Sequence, residues 1–409
     1  MTQTNNYPKT RDIIYPLILV NFVFFMLGFI WNINNVLIAL FKEKFDLNNV
    51  ETTMLTSVSF FAFFVLSYPA KFIIDKLKTA DSIVLGAVIA GIGLLLFIPA
   101  ALLLSFPLFL VGTFVTFSGV TFLQITCNPY VRALGVPSRA ASRINLSQGL
   151  GAVGAFLTAY IAGGFILKLF GDDPFRGIVW FYLIMGGLFL LLALLVKTAS
   201  MPANPTDEAN HGEAEGAFTD GKTSVWGFRH FRVGFIVLLL YMGAEAILYQ
   251  LMTPYFMQEV EMTKARAVDI SGLMFLGLMI GRLLGAGILL RVNAGRLVGI
   301  FASMAGLGII ISMLSHGYVA IYSIISTGLF ISVMFATIFS LAIEGLGKFT
   351  NEASSFLILA ISGGFFIPLL FGLANDFVSL KTSLLVVLLP LLLAAWYGFF
   401  GARRKSTTP

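Results

Sequence analysis

Residues 233–256 read VGFIVLLLYMGAEAILYQLMTPYF, and Tyr241, Glu245, Tyr249 and Gln250 interrupt an otherwise apolar run. A helix needs about 20 such residues to cross a bilayer core. Lipid offers no partner to backbone N–H and C=O groups, so an apolar run of this length is predicted to be a membrane helix. Glu245 then lies near its midpoint. A carboxylate at that depth is costly and by default marks a functional site. Tyr241, Glu245 and Tyr249 are spaced i, i+4, i+8 and share one helical stripe, with Gln250 beside it. Two readings follow. The stripe faces a water-filled cavity, or a protonated Glu245 is hydrogen-bonded between helices.

The rest of the 409-residue chain repeats the pattern: 58% of residues are hydrophobic and 11% charged, against about 25% charged in a soluble domain. Twelve spans are predicted, at 13–41, 52–70, 82–105, 107–134, 143–169, 177–197, 232–257, 268–290, 295–315, 317–346, 353–375 and 380–402. The first run is too long for a signal-peptide core and lacks a small-residue cleavage site, so it is expected to remain as the first span. One cysteine, Cys127, rules out an internal disulfide and a thiolate metal cluster. No cofactor is expected.

Basic residues set the orientation. With both termini cytoplasmic, 19 of the 26 Lys and Arg fall on the inner side, the bias of an inner-membrane protein. That bias accounts for the net charge of +6 without a nucleic acid or other acidic partner. Residues 198–228 are polar and acidic, with Pro202, Pro205, Glu213 and Glu215. They divide the chain into an N-terminal six-helix bundle (1–197), a cytoplasmic linker (198–228) and a C-terminal six-helix bundle (229–409). Leu77-Lys78, Gly86 and Gly93 recur as Leu290-Arg291, Gly299 and Gly306, offset by 213. The expected fold is therefore an all-α membrane protein of twelve transmembrane helices, in two pseudo-symmetric bundles around a central pathway.

Polar side chains inside the spans nominate a site. Glu245 is the one acid deep in a span. Span one carries Trp31, Asn32, Asn34 and Asn35; span four carries Gln124 and Asn128 before Pro129-Tyr130; span five carries Asn145 and Gln148. Buried amides require partners. They either face substrate or join helices. Gly149, Gly151 and Gly154 fit close helix packing, as does the series Gly277, Gly281, Gly285 in span eight. Amides donate and accept together, which suits hydroxyl groups. Trp and Tyr offer apolar faces to the C–H side of a sugar ring. An anion would call for a central Lys or Arg, so the pattern points to a neutral sugar. Asp75 and Arg282, at matching places in the two halves, are candidates for a conformational latch.

The motifs Asn128-Pro129-Tyr130, Asn145-Leu-Ser-Gln148, Tyr241-x-Gly243-x-Glu245, Gly281-Arg282, Thr337-Ile-Phe-Ser340 and Gly363-Gly364…Pro368…Gly372…Asp376 fall in order along the spans. In this the chain resembles the fucose–galactose–gluconate:cation symporters of the major facilitator superfamily. The resemblance implies a major facilitator fold and cation-coupled sugar transport. Asn35 and Gln124 stand where fucose-type members carry the acids that handle the proton, so that mechanism does not transfer. A Glu at position 245 with Gln in span four resembles the sodium-coupled glucose/galactose branch, which keeps the span-one acid. Ala336 stands where the family often has a proline.

The expected function is uptake of a neutral, hexose-like sugar by alternating access, coupled to Na⁺ or H⁺ at Glu245. Substrate contacts are expected from Trp31, Asn32, Asn35, Gln124, Asn128, Asn145, Gln148, Tyr241, Tyr249 and Gln250. The alternatives are an uncoupled uniporter and an exporter of small metabolites or drugs. The partners are the sugar, the cation and the bilayer; a monomer is expected, with no metal other than Na⁺ at Glu245. An intramembrane enzyme is disfavoured, because His211, His230 and His316 lie in loops or near span ends and form no nucleophile–base pair.

Overall fold

The structure, a computed structural model, describes residues 10–44, 49–160, 174–199, 201, 223–375 and 379–402. The described residues form helices joined by short turns. In the first half these are α1 (Thr10–Lys44), α2 (Asn49–Ile74), α3 (Thr79–Leu102), α4 (Phe106–Ala133), α5 (Ala140–Tyr160) and α6 (Pro174–Thr198). The second half has α7 (Arg229–Val260), α8 (Lys264–Ile288), α9 (Ala294–Leu314), α10 (Gly317–Ile331), α11 (Met334–Ala342), α12 (Thr350–Leu359), α13 (Gly363–Asn375) and α14 (Leu380–Trp396). Span ten is the broken pair α10–α11. Span eleven is the pair α12–α13, joined through a 3₁₀ turn at Ala360–Ser362. Eleven described helical stretches are long and apolar enough to cross a membrane. The fifth span, which supplies α5, is not among them and is described only as far as Tyr160. Glu245 lies in the middle of α7, as expected.

Helix starts follow local chemistry. Asn293 accepts from the amides of Gly295 and Arg296 at the head of α9, and Thr263 and Ser379 cap α8 and α14 in the same way; each answers amides that an isolated helix leaves unpaired. The α9–α10 turn needs φ +65° at Gly317, a left-handed value that glycine takes without steric cost. The Gly317 amide donates to Glu259 at 2.9 Å. Glu259 also meets Lys381 and His316, each at 3.3 Å, and so ties the end of α7 to α9, α10 and α14.

The two halves pair their helices by the same scheme. In the first, α1 packs on α5, α4 on both α2 and α3, and α3 on α6. In the second, α7 packs on α13, α10 on both α8 and α9, and α9 on α14. Each pair in one list is the counterpart of a pair in the other, six spans on. The 213-residue offset in the sequence is nevertheless not the packing register. A Cβ at Gly86 or Gly93 would meet α4, whereas one at Gly299 or Gly306 would meet the span-twelve residues Phe399 and Leu388. Gly308, whose Cβ would meet Thr327 and Ser323 of α10, is the packing counterpart of Gly93.

Small residues permit the closest crossings. A Cβ at Gly28 would sit 1.8 Å from the Gly151 carbonyl, and one at Gly154 would sit 2.2 Å from that of Phe25, so α1 and α5 touch backbone to backbone. Gly277 and Gly281 do the same for α8 against α10, and Gly285 leaves room for the Val333 side chain at the α10–α11 break.

Candidate functional site

The described contacts between the halves lie mainly at the end of the bundle that carries the α2–α3, α4–α5, α8–α9 and α11–α12 turns. There α5 packs on α8 and α11, and α12 packs on α2 and α4. One face of α5 supplies much of the seam. Ser142 donates to the Ala286 carbonyl at 2.6 Å. Asn145 donates to Thr337 Oγ1 at 2.9 Å. The Gln148 carbonyl accepts from Arg282 Nη1 at 3.4 Å. Their three-residue spacing keeps them on adjacent turns of one face. Gly149 adds to the seam, since a Cβ there would press on Leu283.

The α4–α5 turn is fixed by one side chain. Arg143 donates to the carbonyls of Val131 (3.0 Å), Val136 (2.9 Å) and Arg132, caging the end of α4. This holds the amides above it in place. Asn128 Nδ2 donates to both Gln124 O (2.8 Å) and Gln124 Oε1 (2.7 Å), and Gln148 Nε2 donates to Asn128 Oδ1 at 3.2 Å. Gln124, Asn128 and Gln148 thus form a continuous buried amide chain between α4 and α5. Pro129 follows it without ending α4, and Asn128 rebinds a carbonyl of the turn that Pro129 loosens. Asn145 is fully buried, and its Oδ1 has no hydrogen-bond partner among the described residues.

Glu245 sits across the bundle, buried on α7. Its Oε1 accepts from Tyr249 at 2.6 Å, so its partner lies on its own helix. Tyr241 donates to the Ile331 carbonyl at 3.0 Å, at the α10–α11 break. Arg282 Nε takes the next carbonyl, Ser332, at 3.1 Å, and the guanidinium acts electrostatically on Glu245. Tyr249 lies against Phe275 of α8, ring centroids 5.2 Å apart. Gln250, five residues beyond Glu245, is exposed and turned well round the helix from the acid.

Trp31 stacks on Phe63 (5.7 Å, 10°) and meets Phe117 edge-on at 5.3 Å. Phe60, also beside Trp31, reaches the second half, where a Cβ at Gly364 would lie 2.7 Å from its ring. Asp75 accepts from Asn351 of α12 at 3.2 Å. Asp75 and Arg282 are therefore not paired with each other; each reaches the opposite half through an uncharged partner. The side chains of Asn32, Asn34 and Asn35, the linker residues 202–222 and Asp376 lie outside the described residues.

Three participants were not singled out in the sequence. Asn21 accepts from Ser147 at 2.5 Å; as an amide within an apolar run it carried a readable signal. Ser142 and Ser332 join through a hydroxyl and a backbone carbonyl, groups too common in the chain to stand out.

Residues 20–368 match the family described as the Major Facilitator Superfamily. The chain is 32% identical over 396 residues to a glucose/galactose transporter of Brucella abortus, covering 95% of this chain and 94% of that protein. It is 27% identical to the L-fucose-proton symporter of Escherichia coli, over 90% of this chain and 88% of that one. Among solved structures, FucP in the outward conformation superposes with a TM-score of 0.85 at 26% identity, covering 96% of this chain and 100% of that one. With the same paired helices in both halves and the motifs in their expected spans, the chain belongs to the major facilitator superfamily, in its fucose–galactose–gluconate:cation symporter family.

Proposed function

We propose that this membrane protein takes up a neutral, hexose-like sugar by alternating access, with Na⁺ or H⁺ coupled at Glu245. The observation that carries the reading is a buried carboxylate in mid-span, bonded by Tyr249 and within the field of a guanidinium that touches both halves. A deprotonated Glu245 offers hard oxygen to Na⁺; alternatively it carries a proton. The Gln124–Asn128–Gln148 chain would present amides to sugar hydroxyls, and Trp31 an apolar face. Tyr241, Tyr249, Asn145, Asn32, Asn35 and Gln250 complete the proposed substrate set. The names of the relatives support a hexose or deoxyhexose, and they mark the chain as a transporter, not an enzyme.

The basic-residue bias supports an inner-membrane protein with both termini in the cytoplasm. The described seam is then the cytoplasmic gate, and the molecule faces outward, like the FucP structure it superposes on. Asp75 and Arg282 belong to that gate as latch residues. The boundaries 1–197, 198–228 and 229–409 stand as the proposed division into bundle, linker and bundle. One copy supplies both sides of the pathway, which supports a monomer as the working unit.

The test is transport in proteoliposomes. Glu245→Gln should abolish uphill sugar accumulation while sugar counterflow continues. Accumulation that survives the substitution removes the coupling role. A parent protein that never accumulates sugar supports uniport, the reading that the neutral Gln124 favours.

A further inference from the structure

Span ten breaks at Ser332–Val333 with neither proline nor glycine in the break. A proline at position 336 would have removed the amide that answers the Ser332 carbonyl in a continuous helix. Ala336 keeps that amide, so the break has another cause. Two side chains from neighbouring helices hold its carbonyls: Tyr241 on Ile331 and Arg282 on Ser332. Gly281 leaves room for this, because a Cβ there would lie 2.3 Å from both Leu329 O and Ser332 Oγ.

Arg282 has a second arm, which donates to Gln148 O across the seam. The guanidinium therefore bonds to the break in span ten and to the α5 backbone of the other half, and Tyr241, which holds the adjacent carbonyl of the break, stands one helical turn from Glu245. Among the described residues, the titratable and charged groups acting on Glu245 are Tyr249, Arg282 and Tyr241. The last two are also the holders of the break.

We propose that Arg282 is the positioning residue through which cation occupancy at Glu245 reaches the gate. This rests on Glu245 being the coupling acid. A bare carboxylate draws the guanidinium towards itself and off the Gln148 carbonyl. A cation on Glu245 neutralises it and returns Arg282 to Gln148, closing the seam. Opposite charges attract strongly in a low-dielectric interior, and a planar guanidinium can serve two carbonyls from different edges.

The test uses the full-length protein with Cys127→Ser, Ser142→Cys and Ala286→Cys, a pair that spans the seam. Oxidative cross-linking is followed at fixed pH with and without NaCl, and without NaCl at two pH values. In this background the cation should speed cross-linking by roughly tenfold, within the usual range of an allosteric coupling. Arg282→Gln should remove the response, and Arg282→Lys should reduce it, since an ammonium lacks the fork. Monodisperse elution and a cooperative thermal transition verify that each variant is folded. If Arg282→Gln does not fold, Arg282→Lys decides, and an undiminished response overturns the proposal. A full response in Arg282→Gln overturns it as well. Glu245→Gln separates the two levels. A response that survives in Glu245→Gln removes the coupling acid itself. A response lost there but kept in Arg282→Gln removes only the role of Arg282.

Discussion

The two halves share one helix-pairing scheme but carry different chemistry in their polar cores. In the first half the described mid-span polar groups are neutral: Gln124, Asn128, Asn145 and Gln148, bonded mainly to one another and to backbone. In the second, the described polar groups on spans seven and eight are Glu245 and Arg282 with two tyrosines. Neutral amides recognise hydroxyls and do not titrate. A buried acid near a guanidinium changes its field whenever a cation comes or goes. The contrast suggests a division of labour, with selection in the first half and coupling in the second.

The largest effect should come from moving charge between the halves. Glu245→Gln is expected to reduce steady-state accumulation to the equilibrium distribution while exchange persists, as measured with labelled sugar in vesicles. Gln124→Glu tests the other side. A carboxylate can still accept from Asn128 Nδ2, as Gln124 Oε1 does at 2.7 Å, so the helix pair should survive. Transport should acquire a pH-dependent step additional to any that Glu245 supplies. If Gln124→Glu leaves the pH profile unchanged, the amide chain is insulated from the transport cycle and the division fails.

Next in size is Asn128→Ala. It removes the donor to Gln124 and the acceptor of Gln148 together. Each buried polar group left unpaired costs about 1–3 kcal/mol, and 1.4 kcal/mol is about tenfold in affinity. Sugar affinity in a thermal-shift or binding assay should fall by roughly 10–100-fold, with the cation dependence retained. A variant that binds sugar normally but loses its cation response would reverse the assignment of the halves.

These contrasts were unequally legible in the sequence. The spans, the pseudo-repeat and the depth of Glu245 follow from apolar run length and from one acid in one run. The glycine series followed equally well, because close crossings demand small residues. The packing register of the repeat did not: Gly86 and Gly299 match in sequence, yet they face α4 and span twelve. A glycine marks closeness without saying to what. The partners of the amides were also unreadable. Asn145 meets Thr337, 192 residues away, and no local spacing encodes that. The break in span ten was hidden because its cause lies on α7 and α8, outside the broken segment.

Tyr249→Phe should act more gently. It deletes the 2.6 Å bond to Glu245 and keeps the ring against Phe275. A hydrogen bond to a charged group contributes about 1.5–3 kcal/mol. The phenol and a cation compete for the same carboxylate, so the cation concentration for half-maximal accumulation should fall by roughly tenfold. Sugar affinity measured by counterflow should fall by no more than about tenfold, since Tyr249 is one of several proposed substrate contacts and the amide chain is untouched. A larger loss would make Tyr249 a principal substrate contact and blur the boundary between the halves.

The smallest effect is expected at Asp75, and it is informative because Asp75 and Arg282 are the two latch candidates, one from each half. Asp75 lies at the end of α2, its side chain 39% exposed, 3.8 Å from Lys71 and 3.2 Å from Asn351. Exposed pairs contribute about 0–1 kcal/mol, and the Asn351 bond is retained in kind by Asp75→Asn. Counterflow in that variant should therefore stay within about fivefold of the parent. Arg282 differs in kind, because its partners are carbonyls inside the seam. If Asp75→Asn disturbed transport as much as Arg282→Gln, the gate would be a symmetric pair of charged latches. The asymmetry between a neutral first half and a charged second half would then stop at the amide chain.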